Sequence, residues 1–189
     1  MTGTSGKKNF DNLTIVNYCH PNCQPLFNIM RLPKERAFEL AYAMASQNRK
    51  TTAFYRFADF ENYYPKRLET DALLHSRFQE LGGIPVQEHP LSFVLEGSDF
   101  LAQWFAHGIV TKFLLCQIPS ESVSFTYGDS MTVLQTRGEI EMLTKDMLRH
   151  DIEKFDSIES FLFDVSEQWK YIEVQVWDDR CLKCGETML

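Results

Sequence analysis

Apolar positions recur along this chain at two spacings, and the spacing changes from segment to segment. Helical spacing is seen first at Ala37, Leu40, Ala41 and Met44, following Leu32-Pro33 and predicting a helix to about Gln47. It returns at Leu68, Leu73, Leu74, Phe78 and Leu81, a helix that ends on Gly82-Gly83. Pro65 should break that helical region near its start, because an interior proline costs about 3 kcal/mol. Strict alternation appears twice. Val123, Phe125 and Tyr127 face one way and Ser124 and Thr126 the other, so one side is core and the other a polar floor. Ile172, Val174 and Val176 repeat the pattern against Glu173, Gln175 and Trp177, which are expected to point outward.

Unbroken apolar runs at 91–95 (LSFVL) and 109–116 (IVTKFLLC) predict strands buried on both faces, the second in a central position. Shorter strands are expected at 13–18 (LTIVNY), 52–57 (TAFYRF) and 140–143. Ser98, Thr144 and Ser157 read as caps of further helices. Strands and helices do not alternate regularly enough for a doubly wound parallel sheet. The pattern therefore predicts an α+β fold: one mixed, mostly antiparallel sheet flanked by helices. It forms a single domain over 11–180, between an arm at 1–10 and a tail at 181–189.

Composition narrows the function. A chain of 189 residues can bury roughly 70% of its unfolded surface, so it needs no disulfide scaffold. The net charge of -7 disfavours binding to nucleic acid or an anionic membrane, since such affinity comes from clustered Lys and Arg that displace counterions. No apolar window reaches the length a bilayer requires, and the first residues lack the apolar core of an export signal, which predicts a cytoplasmic protein. Five cysteines then read as reduced thiols. Cys19, Cys23, Cys181 and Cys184 could instead meet around a metal, but their spacing favours free thiols over zinc.

The candidate chemistry lies on the strands. Hydroxyls at Ser124 and Thr126 share a face about 7 Å apart, as do the carboxylate of Glu173 and the amide of Gln175. An arginine among Phe54, Tyr55 and Phe57 should sit partly desolvated, where Arg56 needs an anionic partner or a ligand phosphate. The order Arg, then Ser/Thr, then Glu on successive strands resembles the core of ADP-ribosyltransferase-like enzymes. That resemblance implies NAD as substrate, with Arg56 binding the dinucleotide, Ser124 or Thr126 supporting the nicotinamide pocket, and Glu173 stabilising the oxocarbenium-like transition state. Gln175 joins this cofactor-binding set as the neighbour of Glu173 on the same face. Tyr171 stands where arginine-modifying members of that family carry Glu or Gln. The segments FYRFADFENYYPKR and SFTYGDSM are also similar to an uncharacterised bacterial family, which implies no chemistry.

Two further readings compete with this one. Gly128-Asp129-Ser130 has the form of a hydrolase nucleophile turn, but no G-x-S-x-G motif surrounds it and no helix clearly follows, so an ordinary β-turn is expected. His89, His107 and His150 would be its candidate bases, and the sequence brings none of them to it. The aromatic cluster Phe54, Tyr55, Phe57, Phe60, Tyr63 and Tyr64, interleaved with Arg56 and Arg67, has the composition of a protein-binding hot spot. An accessory or immunity-type interaction protein is thus the alternative to an NAD-cleaving enzyme with a nucleotide-sized pocket.

Overall fold

The computed structural model describes residues 9–182 and a last strand, Glu186–Met188. The fold is α+β, one antiparallel sheet with helices on both faces. In chain order the strands are β1 (Thr14–Cys19), β2 (Leu91–Leu95), β3 (Ile109–Leu114), β4 (Val123–Tyr127), β5 (Met142–Leu143), β6 (Ile172–Val176) and β7 (Glu186–Met188). They lie side by side as β5-β4-β6-β2-β1-β3-β7, and every pairing of strands is antiparallel. β2 occupies the middle. β3, expected there, is next to last, which is why Leu114 at its end is exposed despite the apolar run.

The helices are α1 (Lys34–Gln47), α2 (Tyr55–Ala58), α3 (Phe60–Glu80), α4 (Asp99–Trp104), α5 (Ser130–Arg137), α6 (Lys145–Ile152) and α7 (Ile158–Trp169). Leu148 and Ile152 of α6 and Ile158, Phe161 and Val165 of α7 pack on one face of the sheet, against Ile15, Phe93, Phe125 and Val174. This is the main core, and the alternation in β4 and β6 delivers it. α3 covers the other face: its Leu74 and Phe78 meet Trp177 and Met142, with Phe78 stacked on the indole at 5.7 Å. Trp177, expected outside, is wholly buried, because a second layer lies where solvent was anticipated.

Three local expectations are corrected. The segment 52–57 is helical: a 3-10 turn capped by Thr51 runs into α2. Its aromatics satisfy β propensity, yet Phe54 is buried and Phe57 joins a small helical core, packing on Phe60, which with Tyr64 meets Phe38 of α1. α3 runs unbroken through Pro65. The carbonyl that the proline leaves without its helical donor belongs to Glu61, which is exposed like Pro65 itself, so water can serve it. Finally, a helix does follow Gly128-Asp129-Ser130, namely α5.

Candidate functional site

β6 and β4 are in register, with Ser124 opposite Gln175 and Thr126 opposite Glu173. On the face beneath α3 their side chains form a closed ladder. The Trp177 indole donates to Ser124 Oγ at 2.9 Å, Ser124 donates to Gln175 Oε1 at 2.9 Å, and Gln175 Nε2 donates to Thr126 Oγ1 at 2.9 Å. All four residues are completely buried. The polar floor predicted from the alternation exists, but α3 roofs it, and its hydrogen-bonding capacity is spent within itself.

Glu173 continues the same column toward the start of β6 and meets the first turn of α5. The turn between β4 and α5 is tight: Gly128 adopts φ +77°, and a Cβ there would come within 3.2 Å of the Trp169 ring. Asp129 caps α5 by accepting the Thr132 N–H at 2.7 Å, and the Ser130 N–H donates to Glu173 Oε2 at 2.7 Å. Two carboxylates thus serve the positive end of one helix, Asp129 from the solvent side and Glu173 from the interior.

Two arginines balance them. Arg56, on α2 rather than on a strand, reaches Asp129 with both terminal nitrogens at 3.4 Å and Thr132 at 3.2 Å; its Nε donates to the Tyr55 hydroxyl at 2.8 Å. Arg67, buried on α3, pairs with Asp71 one turn later at 2.8 Å and acts electrostatically on Glu173. Asp71 is itself sealed and meets His89 Nδ1 at 2.7 Å, while the His89 carbonyl accepts from Arg31 Nε at 2.7 Å. A chain of polar contacts and charges therefore runs from Arg31 through His89, Asp71, Arg67 and Glu173 to Asp129 and Arg56.

Burial pushes the Glu173 carboxyl above its ordinary 4.5; Arg67 opposes this, the nearby Asp129 charge adds to it, and the Ser130 N–H works against it. Burial would also raise Asp129, but Arg56 and the Thr132 hydrogen bonds outweigh that and hold it below its ordinary 3.8. Tyr171, on the same side of β6 as Glu173, is pushed up by burial and by the charges of Asp129 and Glu173. The environment therefore drives two carboxyls at one helix end apart.

The structure brings Arg56 and Glu173 to the same helix terminus, on opposite sides of the Asp129-Ser130 turn. Ser124, Thr126 and Gln175 lie deeper, away from solvent. Against known proteins, the chain matches no family model, no curated protein and no solved structure. The site's meaning rests on its own geometry.

That geometry includes residues the sequence reading passed over. Arg67 and Asp71 were legible in principle. They lie on the stripe 67, 71, 74, 78, whose last two members are the buried Leu74 and Phe78, so a charged pair sits where the helix faces the core. The three histidines considered as bases are not near Ser130 in any bonded sense: His89 is held by Asp71, and His107 and His150 are exposed. Among the described residues no group of three or more His, Cys, Asp or Glu is arranged to hold a metal; Cys184 lies outside them. Beside α3 an open groove of about 520 Å³ is lined by Leu73, Arg77, Val133, Arg137, Ile140 and Trp169, and neither Glu173 nor Arg56 faces it.

Around Arg56 the surface is aromatic. Lys170 Nζ lies 4.4 Å from the Phe100 ring, Phe100 is 5.8 Å from Trp104, Trp104 meets Tyr55 edge-on at 5.4 Å, and Arg56 lies 5.6 Å from Tyr55. Tyr55 and Phe100 are 53% and 40% exposed. α2, α4 and the turn before β6 supply this ladder, and α4 owes its position to Ser98, which caps it as expected.

The raised Glu173 carboxyl carries a pH signature. A group whose folded pKa exceeds its unfolded one contributes stability that is full below the unfolded value and is lost as pH rises through the folded value. Urea unfolding at a series of pH values should therefore show the wild type losing stability, relative to Glu173→Gln, as pH climbs above 4.5. A constant difference between the two proteins over that range would show that the carboxyl is not held raised.

Proposed function

We propose that this chain is a cytoplasmic protein-binding module whose contact surface is the ladder Lys170, Phe100, Trp104, Tyr55 and Arg56. The observation that carries this reading is the exposure of Tyr55 and Phe100 within a packed row of rings ended by two cations. Tyr, Trp and Arg dominate the energetics of protein interfaces because they offer large rigid contact areas and directional donors. Here the rings are already ordered against one another, so little side-chain entropy would be lost on docking. The polar groups best suited to a small ligand are instead engaged internally, which supports binding over catalysis. Most of the aromatic cluster at 54–64 builds the helical core, and Tyr55 is the member that contributes to the surface ladder.

A photo-crosslinking amino acid placed at position 55 or 100 in cells of the native host tests this directly. A discrete protein adduct is expected at both positions and none at position 42, a tyrosine 76% exposed on α1. The same adducts at all three positions, or none at any, would dismiss the ladder as an interface.

A second reading, NAD cleavage of the ADP-ribosyltransferase kind, is supported by the convergence of Arg56 and Glu173 on one turn. In it the guanidinium holds the dinucleotide phosphates, Tyr55 and Trp104 stack on a base, and Glu173 approaches the nicotinamide ribose. Glu173 is 5% exposed, so α5 or α3 would have to shift to admit the substrate. Nicotinamide release from NAD by the wild type, abolished in Glu173→Gln, would establish this reading. No release by the wild type would end it.

A further inference from the structure

The end of β1 carries two thiols that neither reading uses. Cys19 is the last residue of the strand, and the chain turns at once through His20, Pro21 and Asn22 to Cys23. The turn is closed by the Cys23 N–H donating to the His20 carbonyl at 2.8 Å and braced by the Asn22 N–H on His20 Nδ1 at 3.2 Å. Pro21 fixes one of its torsions. The far wall is the backbone at Gly108, where a Cβ would lie 2.3 Å from the Cys19 carbonyl oxygen and 2.6 Å from Pro21. The turn therefore has little freedom to open. Within it the Cys19 sulfur lies 3.4 Å from the His20 carbonyl oxygen, the same oxygen that accepts the Cys23 N–H, so the turn gathers both cysteines about one atom.

The two residues differ in exposure. Cys19 is 7% exposed, whereas Cys23 is half-buried. Cys23 is therefore the more accessible of the two to a reagent in solution. That is the arrangement of an attacking and a resolving cysteine. Both are free thiols, as are the exposed Cys116 and the half-buried Cys181.

We propose that Cys19 and Cys23 are a redox modification site, closing to an intramolecular disulfide when the chain meets a small disulfide oxidant such as oxidised glutathione. The Cys23 thiolate attacks one sulfur of the oxidant, whose S–S bond breaks. One glutathione leaves as a thiolate and takes a proton from water. Cys19 then loses its proton to water and attacks Cys23 Sγ, forming the Cys19–Cys23 bond and expelling the second glutathione. The two cysteines give up two electrons and two protons, and the oxidant receives them. The neighbouring Cys19 thiol draws the Cys23 thiol below its ordinary value against the effect of burial, while Cys23 and burial together raise Cys19. Such a division favours the more exposed thiol as first nucleophile.

The experiment treats the full-length protein with oxidised glutathione, alkylates what remains reduced and maps the peptides. In the wild type, residues 19 and 23 should escape alkylation together, with the peptide two hydrogens lighter and no glutathione attached. In Cys19→Ser the resolving thiol is missing, so glutathione should accumulate on Cys23, roughly tenfold faster than on the exposed Cys116. The proposal is overturned if Cys19 and Cys23 of the wild type stay alkylatable at an exposure that modifies Cys116, or if Cys23 keeps its glutathione there. The wild-type map stands whether or not the variant folds.

Discussion

The first turn of a buried helix needs acceptors for its N–H groups, and the way α5 finds them organises the site. Its cap, Asp129, faces outward and can be held by a half-exposed arginine. Its Ser130 N–H is buried, and Glu173 of β6 accepts it. A carboxylate in that place cannot stand alone, since an isolated buried charge costs several kcal/mol. Arg67 answers it from α3, Asp71 answers Arg67, and the His89 ring hydrogen-bonds to Asp71. The buried charges of Glu173, Arg67 and Asp71 require one another. The series holds α3 over β4 and β6, positions α2 through Arg56 and Asp129, and ties the start of β2 to the layer beneath.

Beside the charged chain lies a neutral one. The ladder from Trp177 through Ser124 and Gln175 to Thr126 lets polar side chains fill the space between sheet and helix without an unmet group on any of its rungs. Such a ladder specifies register as much as it adds stability. A slip of one residue between β4 and β6 would turn these groups into the apolar core and bring Val174 and Phe125 under α3. The two layers thus meet across a surface that has a single satisfactory alignment, and the aromatic ladder at the molecule's edge rests on the same frame.

Much of this was readable in the chain. The alternation at 123–127 and 172–176 gave the two strands and the correct division of their faces, and Ser98, Thr144 and Ser157 marked their helices. What the alternation could not show was a second layer. A polar face reads as solvent-facing until a helix is known to cover it, and the covering helix advertised itself only through Arg67 and Asp71 on its apolar stripe. The short helix at 55–58 was hidden by β-favouring aromatics whose packing partners lie outside the segment, on α1 and α3. α5 carried local signals at both ends, the Asp129 cap and the left-handed Gly138, and only its contact with Glu173, 43 residues after Ser130, was remote.

If the buried charges hold the layers together, removing the central cation should be far worse than losing a surface pair. Equilibrium urea unfolding of Arg67→Met measures this most directly. A loss of about 3–5 kcal/mol is expected, because the substitution leaves Glu173 and Asp71 buried without the cation between them. A loss below about 1 kcal/mol, the range of an exposed ion pair, would contradict it.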